Sequence, residues 1–224
     1  MNWVVKFLTS SLGKKLIMSL TGLFLCTFLV VHMIGNLALF ADADGHSFNE
    51  YAEFMAHNPL IKTVSLGLYF FIFLHAVQGI AIWVSNRNSA GGSSRYKGSE
   101  KAKTEASAAS RNMMWLGVLI LAFLLLHMAQ FWLKAKFTGL TREGDLYYEV
   151  SLAFQQEWVV IVYLLGLFAL SAHLLHGFQS AFQTLGLNHK KYTPVIKAVG
   201  VAFAILVPLG FATMPIFFYI KEML

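Results

Sequence analysis

The sequence predicts an all-α membrane protein, a bundle of five transmembrane helices with the N-terminus cytoplasmic and the C-terminus outside. Three observations carry that reading. The 224 residues are 57% hydrophobic and only 12% charged, where a soluble domain carries roughly a quarter charged residues, and the mean hydropathy is +0.62. Five apolar runs, 16–40, 61–84, 113–133, 158–185 and 195–220, each reach the ~20 residues that cross a hydrocarbon core of about 30 Å. The charges between the runs alternate in sign. One set of connections holds Lys6, Lys14, Lys15, Arg87, Arg95, Lys97, Lys101, Lys103, Arg111, Lys190, Lys191 and Lys197, 12 of the 17 basic residues. The opposite set holds 9 of the 11 acids, all but Glu100 and Glu105. By the positive-inside bias the basic side is cytoplasmic.

The elements follow in order. Residues 1–13 form an interfacial lead-in, with Trp3 and Phe7 suited to the headgroup level. The first run is too long for a signal-peptide core and is read as a retained helix. After it, Phe48, Tyr51, Ala52 and Met55 fall at i, i+3, i+4 and i+7, the spacing of a short amphipathic surface helix that ends near Asn58-Pro59. The connection 85–112 is polar, with a flexible Gly91-Gly92-Ser93-Ser94 stretch and a possible polar helix over 99–111. The charged connection 134–157 carries Tyr147 and Tyr148 as expected interface anchors, and a basic turn over 186–194 leads into the last helix. Pro208 and Pro215 should bend that helix, since each removes a backbone donor.

One membrane domain, 1–224, uses the whole chain and leaves no room for a soluble catalytic domain. The net charge of +6 follows the membrane and is not a nucleic-acid footprint. The lone Cys26 sits mid-span and excludes both an intramolecular disulfide and a thiolate cluster built from this chain alone.

Four histidines lie one apiece in the first four runs: His32, His75, His127 and His173. An ionisable side chain in a span is costly and points to function. At about 1.5 Å per residue, His32 and His127 fall near the outer side, while His75 and His173 fall near the inner side, with the two levels roughly 12–15 Å apart in a core of about 30 Å. A structural histidine needs one hydrogen-bonding partner and no second histidine at its own depth. Two facing pairs are what two bis-imidazole haems require, inner His75/His173 and outer His32/His127. Such an iron has no open position and suits electron transfer. His75-Ala76-Val77-Gln78-Gly79 and His173-Leu174-Leu175-His176-Gly177 share the pattern H-x-x-x-G, so Gly79 and Gly177 lie on the histidine face and leave space for a porphyrin edge. Asn36 occupies the same offset from His32. His173 is preferred to His176 as ligand on depth and glycine offset, which leaves His176 to line the pocket. His46, His57 and His189 fall in connections and are read as solvated or interfacial.

These residues carry a specific resemblance. The chain resembles the di-haem cytochrome b subunit of succinate:quinone oxidoreductases, the five-helix type of bacterial succinate dehydrogenases and fumarate reductases. The matching features are His32-Met33-Ile34-Gly35-Asn36, His75-x-x-x-Gly79, His127 and His173-x-x-x-Gly177, across essentially the whole chain. The resemblance implies an anchor in the bacterial cytoplasmic membrane for a flavoprotein subunit and an iron–sulfur subunit on the cytoplasmic face. It implies two haems b as cofactors and a membrane quinone, menaquinone in most such members, as the electron partner. Lys14, Lys15, Arg111 and Lys190 would be available to haem propionates. By region of the chain, Glu50 and Glu53 are the expected proton acceptors of the quinone site. Competing readings are the di-haem cytochrome of another quinone-linked dehydrogenase, such as a hydrogenase or formate dehydrogenase, and a haem-free anchor or transporter. A transporter would carry broken helices and paired midplane charges, which these spans lack.

Overall fold

In the computed structural model, residues 2–90 and 112–223 are described, and every regular element among them is helical. The readings that fall on 91–111, including the glycine stretch, the polar helix and the basic residues Arg95, Lys97, Lys101, Lys103 and Arg111, lie outside the described residues. Eight α-helices follow in order: α1 Trp3–Thr9, α2 Ser11–Asn36, α3 His46–His57, α4 Pro59–Ala90, α5 Met113–His127, α6 Leu146–Phe154, α7 Glu157–Thr184 and α8 Thr193–Met223. Among the described residues five stretches are long and apolar enough to cross a membrane: Ser11–Phe40, Pro59–Arg87, Met113–Thr138, Glu157–Thr184 and Thr193–Lys221.

The boundaries differ from the sequence reading where local hydrogen bonding decides them. α2 begins at Ser11, not Leu16, because the Ser10 side chain accepts from Gly13 N at 3.1 Å and caps a helix that already contains Lys14 and Lys15. Beyond His127 the third span does not stop at Leu133. Two π turns, Met128–Trp132 and Lys134–Thr138, carry it to Gly139, where Gly139 N donates to Lys134 O at 3.0 Å. α8 runs through Pro208 and Pro215 as one helix. Pro208 has no N–H for the Ala204 carbonyl, and Ser171 Oγ on α7 donates to that carbonyl at 2.7 Å. The second correction concerns Tyr147. It is a core residue, 7% exposed, and not an interface anchor.

α7 is the hub of the bundle, packed against α8, α2 and α5, while α2 also packs on α4. α3 and α6 close one end as a cap. The buried core clusters there: Leu39, Phe48, Phe154, Val159, Tyr163 and Phe218 belong to it. The reason is physical. Lipid is as apolar as Leu, so spans gain nothing from hiding hydrophobic side chains from it, whereas cap residues that meet water gain about 2 kcal/mol per large side chain buried. Within the spans burial follows packing: the third span has no buried residue in its apolar stretch, while α7, packed against three helices, is 39% buried there. Gly45 opens α3 with φ +78°, a left-handed position, and a side chain there would run into the Tyr147 ring. Asn49 on α3 donates to Asp145 Oδ1 at 2.9 Å and accepts from Tyr147 N at 2.9 Å, tying α3 to α6.

Candidate functional site

The structure brings the four span histidines together in two couples. His32 on α2 and His127 at the end of α5 have ring centres 5.9 Å apart, with planes at 83°. His75 on α4 and His173 on α7 have ring centres 6.3 Å apart, with planes at 68°. That spacing would let each couple hold one metal between its rings, with bonds of about 2.0–2.1 Å. Among the described residues no group of three or more His, Cys, Asp or Glu is placed to hold a bare ion, and two axial ligands are all that a porphyrin leaves to the protein.

The separation of the couples can be read along two helices. On α2, a Cβ at Gly22 would lie 3.2 Å from His75 Cε1, and His32 is ten residues further on. On α7, Tyr163 touches His127, and His173 is ten residues further on. Ten residues rise about 15 Å. Two independent helices therefore give one offset.

The second nitrogen of each ring tests its fit as a ligand. Thr21 Oγ1 bonds back to Ile17 O at 2.8 Å or Met18 O at 3.1 Å and lies 3.0 Å from His75 Nδ1. With its one hydrogen turned to its own helix, the hydroxyl accepts from Nδ1 and leaves the Nε2 lone pair of His75 free. The same logic holds at His127. Tyr163 OH donates to Gln130 Oε1 at 2.7 Å and accepts from His127 Nδ1 at 3.3 Å. Outer-sphere bonds of this kind fix the tautomer of metal-binding imidazoles. His32 is held differently. Asn36 Nδ2 approaches its Nδ1 at 3.3 Å and donates to the His32 carbonyl at 2.7 Å. The tautomer with a free Nε2 needs this amide to move off the ring, since turning it over in place would set two oxygens 2.7 Å apart at the His32 carbonyl. Among the described residues His173 Nδ1 is buried without a hydrogen-bond partner, so this ring lacks the outer bond that His75 and His127 have.

No family model matches the chain, and no curated protein or solved structure matches it significantly. The site therefore rests on its own geometry.

The remaining sequence-predicted residues fall as follows. A Cβ at Gly177 would meet His173 and Met113 only at 3.9 Å, so the face beside His173 is open; at Gly79 the Met18 methyl already lies 3.2 Å from that position. His176 is half-buried, one turn from His173. Lys14 is half-buried, Lys15 and Lys190 are exposed, and all three belong to the end away from the cap. Glu50 and Glu53 are exposed on α3, and Glu50 pairs with His46 at 3.3 Å. They share the capped end with His32 and His127 but enter no site there.

Sequence reasoning missed Thr21, Tyr163 and Gln130. It also missed Glu149, a carboxylate only 2% exposed, which accepts from Lys134 Nζ at 2.8 Å and from Thr141 N. Depth could have found the first two. A hydroxyl in an apolar span, level with a histidine on another helix, is a candidate partner for it.

Proposed function

We propose that the chain is the membrane-anchor cytochrome b subunit of a succinate dehydrogenase or fumarate reductase complex. It would carry electrons through two bis-histidine haems b between an iron–sulfur subunit and membrane quinone, menaquinone by the resemblance. The observation that carries this is the pair of imidazole couples, at 5.9 and 6.3 Å between ring centres and about 15 Å apart along two helices. When bound, each haem supplies a six-coordinate centre that exchanges one electron.

The chain's own residues do the rest. His32 and His127 would hold one iron, His75 and His173 the other. Thr21 and Tyr163 would keep the proton of His75 and His127 on Nδ1 and leave Nε2 to coordinate. Gly177 keeps a side chain off the face beside His173, and His176 would line that pocket. Asn36 would set the His32 ring. The basic end, with Lys14, Lys15 and Lys190, would lie in the cytoplasm with the N-terminus, where the flavoprotein and iron–sulfur subunits dock. The capped end would then lie outside the bacterial cytoplasmic membrane, and quinone would exchange there. Glu50 and Glu53 would serve on its surface as proton acceptors.

The test is a reduced-minus-oxidised spectrum and a haem count on the chain purified from membranes. The expected result is a b-type α-band and two haems per chain, with flavoprotein and iron–sulfur subunits co-purifying. A chain with no α-band overturns the proposal.

A further inference from the structure

We infer that Trp132 is a binding residue for the porphyrin of the His32/His127 couple, its indole N–H donating to one of the two carboxylates at the porphyrin edge. The inference rests on the electron-carrying function proposed above and adds a residue that holds the cofactor without touching its iron. Trp132 closes the first π turn, Met128–Trp132, behind which Leu133 N donates to Met128 O. In a helix closed by i→i+5 bonds a residue stands above the one five before it, so Trp132 comes onto the face of His127. α-Helical winding would turn it about 140° away. Helical side chains lean toward the N-terminal end, which brings the indole back toward the level of the imidazole. Rings fix it on two sides, Tyr69 of α4 at 5.6 Å and Phe137 of the second π turn at 5.4 Å, each at 68°. Tyr69 stands six residues before His75, which puts it about 9 Å from the His75/His173 level, on the side of the other couple.

The Trp132 indole nitrogen is buried, and among the described residues it has no hydrogen-bond partner, whereas Trp158 Nε1 donates to Gln156 at 2.9 Å. An indole nitrogen is a donor only, so the group it meets must bring an acceptor. The rings beside the couple, Phe28 and Phe211 at His32 and Phe123 and Phe131 at His127, offer flat apolar contact and nothing to a carboxylate. Lys134, two residues beyond Trp132, is held by the buried Glu149 at 2.8 Å, and Lys14, Lys15 and Lys190 belong to the far end of the bundle. A porphyrin between His32 and His127 therefore meets a neutral donor, where one at the other end has lysines within its region. A neutral donor leaves the carboxylate its charge, and a hydrogen bond to an ionised acceptor is roughly twice as strong as one between neutral groups.

The experiment times haem release from the full chain in detergent, with apomyoglobin as acceptor, for the unmodified chain and for Trp132→Phe, which keeps a ring and removes the donor. The two haems are told apart by the electron paramagnetic resonance signal that His127→Ala abolishes. The haem of that couple should leave about tenfold faster in Trp132→Phe, the loss of one hydrogen bond to a charged group, and its potential should fall, because an unbonded carboxylate keeps more negative charge near the iron. The other haem should be unchanged, and Trp115→Phe, 68% exposed on the same span, should alter neither. Reconstitution with the dimethyl ester of haem separates the hydrogen bond from packing. With the carboxylates esterified, Trp132→Phe and the unmodified chain should release the porphyrin within about twofold of each other. Equal release of ordinary haem from the two chains overturns the inference, as does an equal acceleration with haem and with its diester, the mark of an indole that only packs or binds water. Either result, in a chain that still carries two haems, leaves the electron-carrier reading standing, whereas a chain that takes up no haem sinks both.

Discussion

Around His32 and His127 the bundle is filled with rings. Phe28 stacks on His32 at 5.2 Å and Phe211 lies 5.5 Å from it, while Phe123, Phe131 and Tyr163 stand 5.4 to 6.1 Å from His127. Around His75 and His173, among the described residues, neither imidazole has a ring neighbour except the other. Glycines and methionines take the place of rings there, with Gly22 against His75, Met18 against Gly79 and Met113 beside Gly177. The couples thus share a spacing but not a setting. On the proposed function, the common spacing would serve a group held between the rings. Setting follows from position in the bundle, since the first couple adjoins the water-facing cap, where burial is rewarded, and the second lies where packing against lipid costs nothing. Unlike surroundings and hydrogen bonds are the means by which a protein gives two identical cofactors different potentials.

That contrast can be broken most severely at the histidines. His32→Ala or His127→Ala should lower the haem count from two to one while the other couple keeps its haem, and His75→Ala or His173→Ala should do the converse; pyridine haemochrome assay reads both. Next comes packing. Phe218, 2% exposed in the cap core, should cost about 3 kcal/mol or more when replaced by alanine. Phe178, half-buried near the opposite end, should cost about 1 kcal/mol, as measured by thermal unfolding in detergent. Equal losses would remove the distinction between the ends.

Smaller effects should follow from the polar groups. Lys134→Met leaves Glu149 buried without its cation and should cost about 2 kcal/mol, less than for a fully enclosed pair because Lys134 is 41% exposed. Tyr163→Phe and Thr21→Val each remove the acceptor of one imidazole proton. The ring becomes a weaker donor, so the potential of its own haem should rise on the order of 30–60 mV while the other stays put, as read by redox titration. Acid gives the mildest effect. Burial pushes the Glu149 carboxyl up, but the hydrogen bonds from Lys134 and Thr141 and the Lys134 charge outweigh it and hold it below its ordinary 4.5. Since folding lowers this value, the stabilisation is present above the unfolded carboxylate range and is lost as pH falls through the folded value. Unfolding followed from pH 6 to below about pH 4 should show the cap weakening, and Glu149→Gln should flatten that dependence.

Much of this was legible in the sequence because depth is a linear quantity. A span runs about 1.5 Å per residue, so the levels of His32, His75, His127 and His173 follow from counting, as does the surface helix from Phe48, Tyr51 and Met55. Rotation about each helix axis is not linear in that way, and the partners that depend on it stayed hidden. Thr21 meets His75, Tyr163 meets His127, and Ser171 meets the Ala204 carbonyl freed by Pro208, all through the register between helices. The Lys134–Glu149 pair was hidden because the third span continues as π turns past Leu133, where a run of charge reads as loop. Tyr147 misled for a related reason. Tyr147 is amphipathic like an interface anchor, but α6 folds back over the bundle and Lys221 Nζ donates to its hydroxyl at 3.2 Å.

The most direct test is electron paramagnetic resonance on the oxidised chain and its four single histidine-to-alanine variants. Two low-spin haem signals are expected in the unmodified chain. Loss of one and the same signal in His32→Ala and His127→Ala, and of the other in His75→Ala and His173→Ala, is the outcome required by facing imidazoles at two levels. A set in which the four variants group otherwise, or in which both signals survive any one of them, contradicts it.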